Sequence, residues 1–231
     1  MRTLTGMAAL LALLAAPRNA AAQRQPERWN ENAELVVAVR NGDSASALAL
    51  LARGADPNSR NRLGDTPINT AARAGNLSMV KALLERGADP NRANLSGVTP
   101  LMSAAHRGDA DVVRALLAAH ADTAAVDRTH KPAAVYAAGE GRTEALAALL
   151  DTGIDVNGRH DSDLTLLMWA AGQGHLATVR MLLGRGADVM ARDDRGKTAL
   201  QIATETGHAG VAEALRAARA GDGTGAAGAI R

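Results

Sequence analysis

Apolar and polar positions along this chain recur with a period far longer than that of any single helix or strand. Leu50-Leu51, Leu83-Leu84, Leu116-Leu117, Leu149-Leu150 and Leu182-Leu183 follow one another at intervals of 33 residues. Gly42, Gly75, Gly108, Gly141, Gly174 and Gly207 keep the same interval. A single-core domain has no reason to repeat at a fixed spacing, whereas stacked units that bury their apolar faces only against neighbours do. The second unit shows what each one is. Thr66 is placed as a helix N-cap with Pro67 at the first helical position, where a missing N–H costs nothing. Ala71 and Ala72 allow close packing, and Gly75 ends the first helix at positive φ. Val80, Leu83 and Leu84, at i, i+3 and i+4, give a second helix one apolar stripe. Gly87 closes that helix, and Ala88-Asp89-Pro90-Asn91 turns the chain into an extended finger ending at Gly97.

The third unit repeats Thr99-Pro100-Leu101, Gly108 and Leu116-Leu117, and the fifth repeats Thr165-Leu166-Leu167, Gly174, Leu182-Leu183 and Gly186-Ala187-Asp188. These motifs resemble the ankyrin repeat, from Asn32 to about Ala220. The resemblance implies an all-α solenoid of about six helix–turn–helix units with short β-hairpin fingers, and a concave groove, lined by first helices and fingers, that grips partner proteins. The ends depart as water-facing caps should. Ala33-Glu34-Leu35, preceded by Trp29, stands for Thr-Pro-Leu, and Leu215-Arg216 stands for Leu-Leu. The fourth unit departs most. His120 and His130 replace glycines, Pro132-Ala133-Ala134 replaces Thr-Pro-Leu, and Ala124 stands where asparagine is usual. Losing the threonine cap costs about 1 kcal/mol. Tolerated drift and local functional adaptation are the two readings of these changes.

The first residues call for separate treatment. Arg2, the apolar run Met7–Ala16, Pro17 and the small residues Ala20-Ala21-Ala22 form the pattern of a secretory signal peptide over 1–22, with cleavage before Gln23. The run is too short to span a bilayer comfortably. The expected organisation is then a linker over 23–31, the repeat domain over 32–220 and a disordered tail over 221–231. Cleavage removes Arg2 and Arg18 from the 26 basic residues, leaving 24 against 24 acidic ones. A balanced chain has no large field with which to draw nucleic acid or acidic membranes. There is no cysteine, so the chain meets an oxidising compartment without disulfides and without the residue that lipid attachment requires. The expected location is the periplasm or the secreted fraction.

No constellation points to catalysis or to a cofactor. His175 and His208 each follow a repeat glycine, a position where the resemblance implies a structural bond between units. His106, His120, His130 and His160 show no metal-ligand spacing, and no H-E-x-x-H occurs. No serine lies in a G-x-S-x-G turn. Asp56, Asp89, Asp122, Asp155 and Asp188 recur because each caps the same turn. Gly223, Gly225 and Gly228 match G-x-G-x-x-G without a preceding strand or following helix, so a dinucleotide site is rejected.

Only three aromatic residues of the Phe, Trp and Tyr class occur, and two of them, Tyr136 and Trp169, are 33 apart. Gly139 and Gly172 follow them at i+3, where other units carry Arg40, Arg73, His106 and Glu205. A ring beside a missing side chain on one helix face predicts a shallow notch across two units. Such rings serve either packing between units or direct contact with a partner, in the manner of interface hot spots. Around them lie Arg73, His106, Arg107, Glu140 and Gln173 on first-helix ends, and Arg128, Lys131, Arg195 and Lys197 on fingers. The tilt is basic, which fits a mildly acidic protein, and two stacking aromatics are too few for nucleic acid. The expected function is a monomeric, non-enzymatic module that grips a partner protein, as an accessory or inhibitor of an exported enzyme or toxin. The alternative is binding of a small molecule or cofactor in the Tyr136–Trp169 notch.

Overall fold

The computed structural model describes the backbone of residues 25–225 and the side chains of residues 30–220. Twelve α-helices follow in pairs among the described residues: α1 (Gln25–Arg40) with α2 (Ser44–Ala52), α3 (Pro67–Ala74) with α4 (Leu77–Glu85), α5 (Pro100–Arg107) with α6 (Ala110–Ala118), α7 (Ala133–Gly139) with α8 (Thr143–Leu150), α9 (Leu166–Gly172) with α10 (Leu176–Gly184), and α11 (Ala199–Glu205) with α12 (Ala209–Gly225). Odd-numbered helices pack on the next odd-numbered helix, from α1 to α11, and form an inner layer. From α4 onward each even-numbered helix packs on the next, forming the outer layer. No described helix is long and apolar enough to cross a membrane.

The repeat residues do what their spacing predicts. Leu83, Leu116, Leu149 and Leu182 are fully buried between layers, and the alanine pairs 71/72, 104/105, 137/138 and 170/171 let inner helices approach closely. Thr66, Thr99, Thr165 and Thr198 each accept a bond from the third helical N–H. Pro132, at the same place in the fourth unit, gives α7 no side-chain cap. Gly75 ends α3 at φ 71°. His120 and His130 hold φ 61° and 57° where most sister units have glycine, and so carry the strain that glycine avoids.

Three expectations need correction. Among the described residues the fingers are turns, not β-hairpins. Each tip is closed by backbone bonds such as Asn94 N–H to Val98 O and Gly97 N–H to Asn94 O, too few for a ladder. The stretch expected as a linker is already helical from Gln25. Its Glu, Arg and Gln residues favour helix, and Pro26 falls in the first turn, where proline is tolerated. At the other end α12 runs on to Gly225, past residue 220. The signal segment 1–22, the Trp29 side chain and the tail over 226–231 lie outside the described residues.

Asparagines on the finger-proximal turns staple units together, a role the sequence did not reveal. Asn58 donates to Gly87 O and accepts from Asp89 N–H. Asn91 does the same with His120 O and Asp122 N–H, and Asn157 with Gly186 O and Asp188 N–H. Ala124 has no side chain to do this.

Candidate protein-binding face

Inner helices and fingers together present one continuous face, because each inner helix starts at the base of its own finger. Four of the five finger bases close through an Asx turn. Asn61, Asn94, Asp127 and Asp193 each accept the N–H groups two and four residues on. His160 occupies that slot in the fourth of the five fingers and cannot accept two such bonds at once. The turn there becomes a short 3-10 segment, Asp161–Asp163, with Ser162 and Asp163 at positive φ. His160 Nε2 is buried without a partner among the described residues, and burial depresses the imidazole's pKa.

Position 70 of the second unit recurs at 103, 136, 169 and 202, and these side chains point along the face. Tyr136 donates to Asp127 Oδ2 at 2.7 Å and meets His106 edge-on, ring centres 5.8 Å apart. Burial and then the Asp127 bond and charge push the phenol up to about 12. Burial opposes ionisation of Asp127, but the Tyr136 hydroxyl, the Lys131 N–H and Thr129 hold its carboxyl below the usual range. Trp169 carries Lys131 Nζ 5.0 Å from its ring centre, a cation–π arrangement, while its Nε1–H is buried without an acceptor.

The space over each of the two glycines is approached by a side chain of the next unit. A Cβ added at Gly139 would lie 3.7 Å from Trp169 Cε3, and one at Gly172 would lie 3.2 Å from Ile202 Cγ2. The carbonyls of both glycines are taken by the histidines of the following units, His175 Nε2 at 2.9 Å and His208 Nε2 at 3.1 Å. At Gly172 the missing side chain makes room for Ile202, whereas a Cβ at Gly139 would meet Trp169 at ordinary contact distance. Both rings are half-buried on the face.

The predicted charges divide into spent and unspent ones. Arg73 pairs with buried Asp65 at 2.7 Å, Arg195 with buried Asp193 at 2.6 Å, and Lys197 with Glu205. Asp65 and Asp193 stay ionised despite burial. Asn94 and Arg73 hold Asp65 below the usual range, and the Lys197 N–H and Arg195 do so for Asp193. His106 and Glu140 stand 3.7 Å apart, and Gln173 is exposed. Arg107 and Arg128 are exposed and lie in no ion pair among the described residues.

Arg73, His106 and Arg107 do come together, with Ser103, Asp109 and Arg142, around a concavity of 440 Å³. The last three were not anticipated. Arg142 stands where later units place the structural histidines, so periodicity marks it as scaffold. It does act so in part, through Nε–H to His106 O at 3.1 Å. Among the described residues no three His, Asp or Glu side chains gather as a metal site. Compared with known families, residues 35–128 and 134–223 match a model described as ankyrin repeats in three copies. No curated protein matches the chain.

Proposed function

We propose that this chain, which belongs to the ankyrin repeat family, is a non-enzymatic module that grips a partner protein along its inner-helix and finger face. Ankyrin repeats are generally protein–protein interaction modules. The carrying observation is Trp169: packed against the Gly139 site on one side and under Lys131 on another, it stays half-buried as a rigid aromatic on that face. Tryptophan held this way offers large contact area at low entropic cost. Arg128, one unit away and without an acidic partner, gives the face its basic tilt toward a mildly acidic protein. The signal-peptide pattern supports a partner in the periplasm or outside the cell, an exported enzyme or toxin that the module assists or inhibits.

The test is capture of the partner by cross-linking in the exported fraction, then titration of the purified pair. Trp169→Ala is expected to weaken binding by roughly 30-fold, the equivalent of a hot spot of about 2 kcal/mol. Arg128→Glu, which disturbs no internal contact, is expected to slow association in a salt-dependent way. Arg180→Ala on the outer helix α10 should leave binding unchanged. Equal losses from Arg180→Ala and Trp169→Ala would assign the grip to another face.

A further inference from the structure

We propose that the concavity lined by Arg73, Ser103, His106, Arg107, Asp109 and Arg142 seats a single carboxylate from an acidic segment of the partner, an assignment that rests on the protein-binding reading above. Its donors are positioned and unspent. Arg107 lies so close over Gly75 that a Cβ there would stand 2.3 Å from its Nε. Arg142 lies over Gly108 in the same way, at 2.5 Å from Cδ. The two repeat glycines thus leave room for the arginine side chains of the following units, and the hydrogen bond to His106 O anchors Arg142. Arg142 spends only its Nε–H, on His106 O, and its terminal N–H groups make no bond among the described residues. Arg107 makes no side-chain bond among them at all.

Ser103 adds a neutral donor to the same concavity. Only 9% exposed, it lines the concavity with a hydroxyl that has no partner among the described residues. Its counterparts are both committed: Thr70 donates to Thr66 O at 3.1 Å and Tyr136 donates to Asp127. A hydroxyl beside two guanidinium groups adds a neutral donor to the same wall.

Charge selects the class of acceptor. Arg73 is already neutralised by Asp65, and Asp109 contributes one negative charge to the wall. Arg107 and Arg142 against Asp109 leave one net positive charge, which suits a monoanion. A phosphate dianion would face Asp109 uncompensated, and Glu140, beyond His106, adds to that repulsion. A carboxylate matches the planar guanidinium fork without this penalty.

The test uses the purified chain alone, titrated with an end-blocked oligoglutamate peptide while the arginine Nε–H resonances are followed by NMR. The Arg107 and Arg142 signals are expected to move in a saturable way, with oligoglutamine leaving them still. Arg107→Gln, which removes no internal hydrogen bond, should weaken the peptide about ten-fold. Arg142→Lys keeps charge but loses the fork and should also weaken it. Inorganic phosphate moving the same signals at lower concentration overturns the carboxylate assignment. Shifts spread equally over Arg128 and Arg195, or absent from Arg107 and Arg142, overturn the site. No partner is present, so a failure here leaves the protein-binding reading standing, and a failed capture leaves the pocket result standing.

Discussion

The junction between the second and third units and the junction between the fourth and fifth follow one 33-residue plan but are held by different chemistry. The first is stapled at the finger side. Asn58 binds both Gly87 O and Asp89 N–H, Asn94 reaches back to Asp65, and Leu95 N–H binds Leu63 O across the fingertips. The second has none of these. Ala124 replaces the asparagine, His160 replaces the Asx acceptor, and no backbone bond joins its two fingers among the described residues. It is held instead away from the fingers, by Trp169 over Gly139 and His175 on the Gly139 carbonyl at the inner helices, and by the Thr143–Thr178 hydroxyl pair at 2.8 Å between outer helices α8 and α10. Polar staples and aromatic packing are interchangeable solutions to one problem in a stack where each unit touches only its neighbours. The exchange also moves rings onto the exposed face, so the fourth unit's departures and the aromatic pair belong to one arrangement.

This contrast can be broken by substitution. Trp169→Ala removes most of what replaces the staples and should cost about 2 kcal/mol, against about 1 kcal/mol or less for Thr70→Ala at the same repeat position. Urea unfolding of the two variants decides, and equal losses would refute the contrast. Asn58→Ala should cost about 1–2 kcal/mol, while Ala124→Asn should add about 1 kcal/mol by supplying the missing staple. If Ala124→Asn gives nothing, the fourth–fifth spacing does not match that of the other junctions. Pro132→Thr restores a cap that α7 lacks and should raise stability by about 1 kcal/mol in the same assay.

The smallest effects expected are those of pH. Tyr136 titrates above its ordinary value, so the stability it contributes is fully present below pH 10 and is lost as pH rises toward about 12. It is the single tyrosine of the chain, so near-ultraviolet absorbance reads this phenol alone. At the acid end Asp65 and Asp127 are depressed, so their contribution is present above the ordinary aspartate value of 3.8 and is lost as pH falls below it. A melting temperature flat from neutral pH down to well below that value would show that these carboxylates are not coupled to folding.

The backbone plan was legible in the sequence because it is local and repeated. Thr66, Gly75, Leu83 and His175 announce cap, turn, core and inter-unit bond by position alone. What escaped depends on which unit a side chain leans into. Gly139 beside Tyr136 looks like a gap along one helix, yet Trp169 from the next helix covers it. Arg142 looks like scaffold, yet its terminal N–H groups face a concavity opened by Ser103 and Arg107 of the preceding unit. Asn58 looks like a turn residue, yet both its bonds go one unit on. The β-hairpin fingers were what the family resemblance implied, but five-residue tips close with too few bonds to make strands.

The central claim, that a partner protein is gripped along the inner helices and fingers, is tested most directly by hydrogen exchange of the free chain against the captured complex. Slowed exchange is expected in α5, α7 and α9 and in the finger segments around Arg128 and Lys131, with α4, α6, α8 and α10 unchanged. Protection confined to those outer helices, or to neither layer, would contradict it.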